Sequence, residues 1–114
     1  AFTLRKPYAP ARKMLDAGLP LALATDFNPG SCPIANLGLI MSIACLYMAM
    51  TPEEVFHAVT INAAYSLGRS DRLGSIEVLK QADLVIFDVD NYRKIPYFVG
   101  ANLVTTVVKA GRVL

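Results

Sequence analysis

Residues 21–30, L-A-L-A-T-D-F-N-P-G, constrain the fold of this chain more than any other stretch. An apolar run leads directly into Thr25 and Asp26, and a loop rich in Asn, Pro and Gly follows at once. This pattern is typical of a buried strand with a functional tip, because the carboxyl ends of parallel strands in α/β folds face the active site. A carboxylate at such a tip is a natural metal ligand or proton acceptor. The alternative is that Asp26 begins an ordinary turn or caps the next helix.

The residues before this loop predict a helix and then a strand. A short helix is expected within residues 8–18, with Pro10 in its first turn and Gly18 at its C-terminal end. Residues 19–25 are a continuous apolar run that is too short for a helix after Pro20. They therefore predict a strand buried on both faces, as in a parallel sheet.

The residues after the loop predict a long uncharged helix from about position 33 to position 50. Its apolar part, residues 34–50, has about the ~17–20 residues that could just span a bilayer. Asn36, Gly38 and Ser42 interrupt it, however, and no basic flank would orient it in a membrane. A fully buried helix is the favoured interpretation, and a membrane-associated helical protein is the alternative.

Thr51-Pro52-Glu53-Glu54 predicts the start of a further helix, because Thr51 can cap it and Glu54 can close a capping box. The helix is expected to end near positions 67–68. Beyond it the pattern changes to short strands with polar links. Strands are expected at 76–78 and 84–87, an irregular segment at 92–100, and a closing hairpin at 104–114.

Composition suggests that these residues do not form a complete domain. The chain is 54% apolar and 18% charged, against roughly 45–50% and 25% in ordinary soluble domains. That is more core than 114 residues need, and it predicts a segment of a larger fold or an obligate oligomer. The net charge of +2 carries no basic stripe, so no nucleic-acid partner is expected. The two cysteines predict buried free thiols and a cytoplasmic location.

Three motifs give the chain a family resemblance. Residues 60–68, T-I-N-A-A-Y-S-L-G, are similar to the helix-ending T-x-N-x-A-x-x-L-G of the amidohydrolase superfamily. Residues 73–88, L-G-S-I-E-V-L-K-Q-A-D-L-V-I-F-D, resemble its G-S-I-E-x-G-K-x-A-D-L-x-x-x-D, and residues 107–113 resemble its closing strand. One departure is Leu79, where the family usually has a glycine with a positive φ. Leu is costly in that conformation, so a locally rebuilt turn is expected.

The resemblance implies an α/β fold: the C-terminal part of a metal-dependent hydrolase (β/α)₈ TIM barrel with an adjoining small β-sandwich. Residues 1–68 would be the end of the barrel domain, with Asp26 at the tip of its eighth strand. Residues 69–114 would be the C-terminal strands of the sandwich. A barrel needs ~200–250 residues. The chain is therefore expected to be a C-terminal fragment whose partner is the missing N-terminal barrel portion, or to self-associate; the parent protein is expected to be a homodimer.

The resemblance also implies the chemistry. Asp26 would be both a ligand of one Zn or Fe ion and the acid–base group. Residues 26–31, D-F-N-P-G-S, are similar to family members that hydrolyse the cyclic amide of imidazolone propionate to N-formimino-L-glutamate in histidine degradation. Asn28 and the backbone of Gly30 would contact the formimino-glutamate part, and Ser31 the imidazolone. The alternatives are that Asn28-Pro29-Gly30 is a common turn and that Ser31 caps a helix.

The rest of the family's metal site is missing from these residues. It needs a His-x-His pair and two further histidines, whereas His57 is the only histidine and is expected to be a packed or half-exposed helix residue. A catalytic site usually takes about three protein ligands plus water. The chain alone is therefore expected to be inactive and without metal. Asn62 and the methionines at 41, 48 and 50 are assigned structural roles. Another deaminase or hydrolase of the superfamily, or a non-catalytic interaction module, remains the alternative.

Overall fold

The computed structural model describes all of residues 1–114 as five helices and one three-stranded sheet. The strands are antiparallel in the order β1-β2-β3. The helices are α1 (Ala11–Asp16), α2 (Leu37–Tyr47), α3 (Pro52–Val59), α4 (Ile61–Ser66) and α5 (Lys94–Tyr97), and the strands are β1 (Leu84–Phe87), β2 (Val104–Lys109) and β3 (Arg112–Val113).

A small apolar core lies where α1, α2, α3 and α5 meet. Its buried members are alanines, methionines and two β-branched side chains, and Leu21 and Leu23 of the segment before the loop pack against them. The structural role assigned to the methionines is confirmed, since Met41 and Met50 are buried in this cluster and Met48 is half-buried against it. The cluster consists of Ala11, Met41, Ala44, Met50, Val55, Ala58 and Ile95.

An ion pair joins α1 to the start of α3. The Arg12 guanidinium donates from its two terminal nitrogens to the two carboxylate oxygens of Glu54, at 3.0 and 2.8 Å. Glu54 also accepts from the Thr51 backbone N–H at 2.8 Å, and the Thr51 hydroxyl accepts from the Glu54 N–H. The predicted capping box is therefore confirmed. The Arg12 side chain ties it to the neighbouring helix, because a guanidinium fork matches a carboxylate in two places.

The prediction of a strand at 19–25 buried on both faces is wrong for this chain. Its half-buried and exposed residues alternate as they do in an extended segment, but it has no ladder partner. Leu21, Leu23 and Thr25 are half-buried, whereas Ala22 and Ala24 are exposed. Three hydrogen bonds hold it to the helices: Leu19 N donates to Met14 O at 3.0 Å, Leu23 N donates to Ala58 O at 3.0 Å, and Asn62 Nδ2 donates to Leu21 O at 2.9 Å. A strand buried on both faces would need parallel strands hydrogen-bonded to both of its edges, and this chain supplies no such strands. The structural role of Asn62 is confirmed.

The uncharged helix is shorter and more exposed than predicted. It begins at Leu37, not at Pro33, because the Asn36 side chain caps it by accepting from Leu39 N at 3.0 Å. The Asn side chain has an oxygen that can accept from a free N–H of the first helical turn, whereas the Pro33 side chain has no acceptor. Leu46 and Tyr47 near its end are 65% and 64% exposed, so the helix is buried on one face only. None of the helices is long and apolar enough to cross a membrane.

Three further elements differ from the expectations. The helix that starts at Pro52 is divided at Thr60, whose hydroxyl donates to Phe56 O at 2.6 Å and whose φ and ψ are −116° and −96°. A side-chain bond from Thr to the carbonyl of the preceding turn weakens and often bends a helix. Residues 76–78 form no strand, and residues 92–100 contain the short helix α5. The strand at 84–87 and the closing hairpin are confirmed.

The chain leaves most of its apolar residues uncovered. Only 11 of 114 residues are buried, although 54% are apolar. This is the imbalance expected of a segment of a larger assembly. Leu79 is 98% exposed and keeps the positive φ of the family's glycine, at 75°, so the turn is not rebuilt and a leucine occupies the left-handed region.

The Asp83 carboxylate holds the tip of the β2–β3 hairpin. It accepts from the Ala110 N–H at 2.8 Å, from Gln81 Nε2 at 2.9 Å and from the Lys109 ammonium. Ala110 has a φ of 50°, a conformation that alanine rarely adopts. The hydrogen bond from Gln81, the Lys109 partner and the Ala110 N–H together lower the pKa of Asp83 to about 2. We infer that this carboxylate stabilises the strained turn.

Replacement of Asp83 by Asn should therefore destabilise the protein at neutral pH and have little effect near pH 2. The carboxylate pKa falls from 3.8 to about 2 on folding, so its contribution is complete above the higher value and disappears as pH falls through the lower one. Urea unfolding of both proteins at several pH values measures the difference. Asp71→Asn, at an exposed carboxylate without an ion pair, is the matched control. A pH-independent difference would show that the charge of Asp83 is not what holds the hairpin.

Candidate active-site loop

Asp26 stands at the end of the extended segment in a rare backbone conformation. Its φ is 51°, in the left-handed region that few residues other than glycine adopt, although Asn and Asp do so more often than the rest. The residue is exposed, and its carboxylate oxygens accept no hydrogen bond and form no ion pair within the chain. Strained backbone of this kind costs energy and is concentrated at functional sites. Asp26 therefore combines a strained backbone with an exposed carboxylate that has no partner within the chain.

Asn28 is the centre of the loop that follows. Its side-chain oxygen accepts from Gly30 N at 3.0 Å, from Ser31 N at 2.7 Å and from the Ser31 hydroxyl at 3.2 Å. Its side-chain nitrogen donates to Asp26 O at 2.7 Å. One amide thus closes the whole turn, which is how Asn commonly organises short loops.

Cys32 closes the loop from the other side. Its backbone N–H and C=O bond reciprocally with those of Asn28, at 3.3 and 2.9 Å. Its thiol lies 3.1 Å from Thr25 O, close enough to donate to it. Cys32 and Cys45 are both free, and both are half-buried, less buried than expected.

The structure brings together the residues predicted for the site. Asp26, Asn28, Gly30 and Ser31 all lie in one hydrogen-bonded loop. Helix capping by Asp26 or Ser31 is not observed, since Asn36 caps α2. The turn interpretation of Asn28-Pro29-Gly30 does describe the local geometry. The participation of Cys32 was missed, because no sequence pattern indicates that its thiol would reach back to Thr25.

The donor set of the chain fits one position of a metal site and not a complete one. Asp26 offers an exposed carboxylate without internal partners, whereas no group of three His, Cys, Asp or Glu residues lies close enough to hold an ion. His57 is exposed on α3, as a helix residue outside the loop. A groove of about 340 Å³ runs between the start of the extended segment and α4, and none of the predicted site residues lines it.

Comparison with known proteins assigns the class. The sequence pattern that defines the amidohydrolase family matches residues 2–114, and the chain belongs to this family. Its fold matches a crystal structure of an adenosine deaminase from Xanthomonas campestris with bound zinc. That match has a TM-score of 0.84 and 28% identity, and it covers 93% of this chain and 28% of the other. The predicted superfamily resemblance is confirmed.

Within the family, the chain is similar to imidazolonepropionases. It is 61% identical to the enzyme of Alkaliphilus oremlandii over 107 residues, which cover 94% of this chain and 25% of that protein. It is 54% identical to the enzyme of Geobacillus kaustophilus over 114 residues, all of this chain and 27% of that protein. The chain therefore spans about a quarter of the length of the curated relatives that it matches.

Proposed function

We propose that this chain is the C-terminal part of an imidazolonepropionase, which hydrolyses the cyclic amide of imidazolone propionate to N-formimino-L-glutamate. The observation that carries the proposal is the loop that gathers Asp26, Asn28, Gly30 and Ser31 in a chain 61% identical to such an enzyme. The uncovered apolar surface supports the view that a larger body surrounds these residues. A cytoplasmic location belongs to the same proposal, since free thiols suit a reducing compartment.

The domain division follows from the same proposal. Residues 1–68 would complete a TIM barrel, with residues 19–25 as its last strand between neighbours from the rest of the protein. Their extended backbone and largely unpaired edges support this role. Residues 69–114, with the sheet β1–β3, would belong to the adjoining sandwich. The partner is then the remainder of the barrel, or a second copy where that remainder is missing, and the parent would form a homodimer.

Asp26 would hold one Zn or Fe ion together with ligands from the rest of the protein. The chemistry supplied by such an ion when bound is a lowered pKa of water and a polarised amide carbonyl. The Asp26 carboxylate would accept the proton of the attacking water and pass it to the leaving ring nitrogen. Its exposure and its lack of internal partners support both roles.

The neighbouring residues would bind the organic part of the substrate. The oxygen of the Asn28 side chain is already used by three donors of the loop. Contact with the formimino-glutamate part would therefore come from the second N–H of its amide and from the Gly30 backbone. The Ser31 hydroxyl donates a hydrogen bond to the Asn28 side-chain oxygen, so its own oxygen would accept a hydrogen bond from an imidazolone N–H.

The proposal is tested by comparing the isolated 114-residue chain with the complete polypeptide that contains it. With imidazolone propionate and added Zn²⁺ or Fe²⁺, the complete protein should produce formimino-glutamate and lose activity to a chelator. The isolated chain should show no turnover above buffer, because it offers one ligand of the about three that a catalytic metal needs. Activity of the complete protein on another cyclic substrate alone would favour a different deaminase or hydrolase. Absence of any hydrolysis would favour a non-catalytic module.

A further inference from the structure

We propose that Cys32 and Asn28 are positioning residues that lock the backbone of Asp26 on both sides of its Cα and so aim its carboxylate. This inference rests on the proposed role of Asp26 and adds the device that orients it. The Cys32 thiol binds Thr25 O, on the N-terminal side of the Asp26 Cα. The side-chain amide of Asn28 binds Asp26 O, on its C-terminal side. No substrate contact of Cys32 is involved.

The Cys32 side chain restrains the peptide before Asp26. That peptide carries the Thr25 carbonyl, whose oxygen lies 3.1 Å from the Cys32 sulfur. Rotation about φ of Asp26 turns this peptide relative to the Asp26 side chain. A hydrogen bond to Thr25 O therefore opposes escape from the left-handed φ of 51°.

The Asn28 side chain restrains the peptide after Asp26. Its amide nitrogen donates to Asp26 O at 2.7 Å, and the Phe27 N–H of the same peptide donates to the Thr25 hydroxyl at 3.3 Å. These two bonds hold both polar groups of one peptide plane and thereby fix ψ of Asp26.

The two restraints form one unit. Asn28 and Cys32 are joined by a reciprocal pair of backbone hydrogen bonds at 2.9 and 3.3 Å. Asn28 is in turn fixed by the three donors on its side-chain oxygen. The left-handed region is unfavourable for L-residues, although Asp and Asn tolerate it better than most, and such a conformation persists where the surroundings over-determine it. The ring of side-chain bonds around Asp26 supplies that over-determination.

The test compares Cys32→Ala with Cys32→Ser in the complete polypeptide. Alanine removes the donor to Thr25 O, whereas serine keeps one in nearly the same place. Misplacement of a reacting group by about 1 Å can lower the rate on the order of 10²-fold. We therefore expect Cys32→Ala to lower kcat by at least about tenfold with KM unchanged, and Cys32→Ser to restore most of kcat. Cys45→Ala, at the other half-buried thiol, on α2, should leave kcat at the wild-type value.

Crystal structures of the two variants provide a readout that needs no activity. Asp26 should leave the positive-φ region in Cys32→Ala and retain it in Cys32→Ser. A higher KM with unchanged kcat in Cys32→Ala would assign the thiol to substrate binding and overturn the proposal. An unmoved Asp26 in Cys32→Ala would overturn it as well. If the wild-type protein hydrolyses nothing, the proposed function fails, while the two structures still decide whether Cys32 holds Asp26.

Discussion

The Asp26→Asn variant of the complete polypeptide should lose nearly all turnover and keep its fold. An amide cannot accept the water proton, and loss of general-base catalysis alone lowers the rate by about 10²–10⁴-fold. Asn is also a weaker ligand for a hard cation, so loss of the ion would add to the effect. The fold should survive, because the carboxylate has no internal partner and Asn tolerates the left-handed conformation of this position.

Steady-state kinetics, metal analysis and circular dichroism of the same preparation check this expectation. Asp71→Asn, at an exposed carboxylate in the link after α4, is the matched control and should retain wild-type kcat. Loss of turnover with full metal content would assign to Asp26 the proton transfer in particular. Wild-type kcat in Asp26→Asn would remove Asp26 from the mechanism altogether.

The Gly74→Ala variant should show a large loss of stability. Gly74 has a φ of +91°, and a methyl group there would lie 2.8 Å from both the Ala64 Cβ and the Ile61 Cα, and 3.0 Å from Thr60 O. Two of these atoms belong to the backbone of α4 or its cap and cannot rotate away. Overpacking of this kind costs about 1–3 kcal/mol. The left-handed backbone adds about 1 kcal/mol for a non-glycine residue. We expect the free energy of unfolding to fall by about 2–4 kcal/mol.

Gly18→Ala separates the two contributions to this loss. Gly18 has a similar φ of +79°, but a methyl group there would meet nothing within 4 Å. Its substitution should therefore cost only the backbone term, about 1 kcal/mol. Urea unfolding of the complete polypeptide measures both variants. Equal losses for the two would mean that the turn at Gly74 does not pack closely on α4.

Local signals in the sequence were sufficient where a structure depends on neighbours along the chain. The capping box at Thr51 and Glu54 and the hairpin with its turn at Ala110-Gly111 are confirmed, because each is made by residues a few positions apart. The same is true of the turn after Asp26, in which the hydrogen bonds of the Asn28 side chain span two or three positions. Asn28-Pro29-Gly30 encodes a turn by itself, so the predicted site residues had to come close together.

Only the tertiary structure decided the features that depend on distant partners. The segment 19–25 has the composition of a doubly buried strand, yet here it lies on the helices, because strand pairing needs neighbours that these residues lack. The bond from Ser42 to Pro96 O, at 2.7 Å between α2 and α5, likewise has no sequence signature. The sequence by itself determined the family, through its motifs, and also the capping box and the closing hairpin, since these are made by residues close together in the chain. The left-handed backbone of Asp26 and its restraint by Cys32 appeared only in the structure, because no sequence pattern indicates that the Cys32 thiol reaches back to Thr25 O.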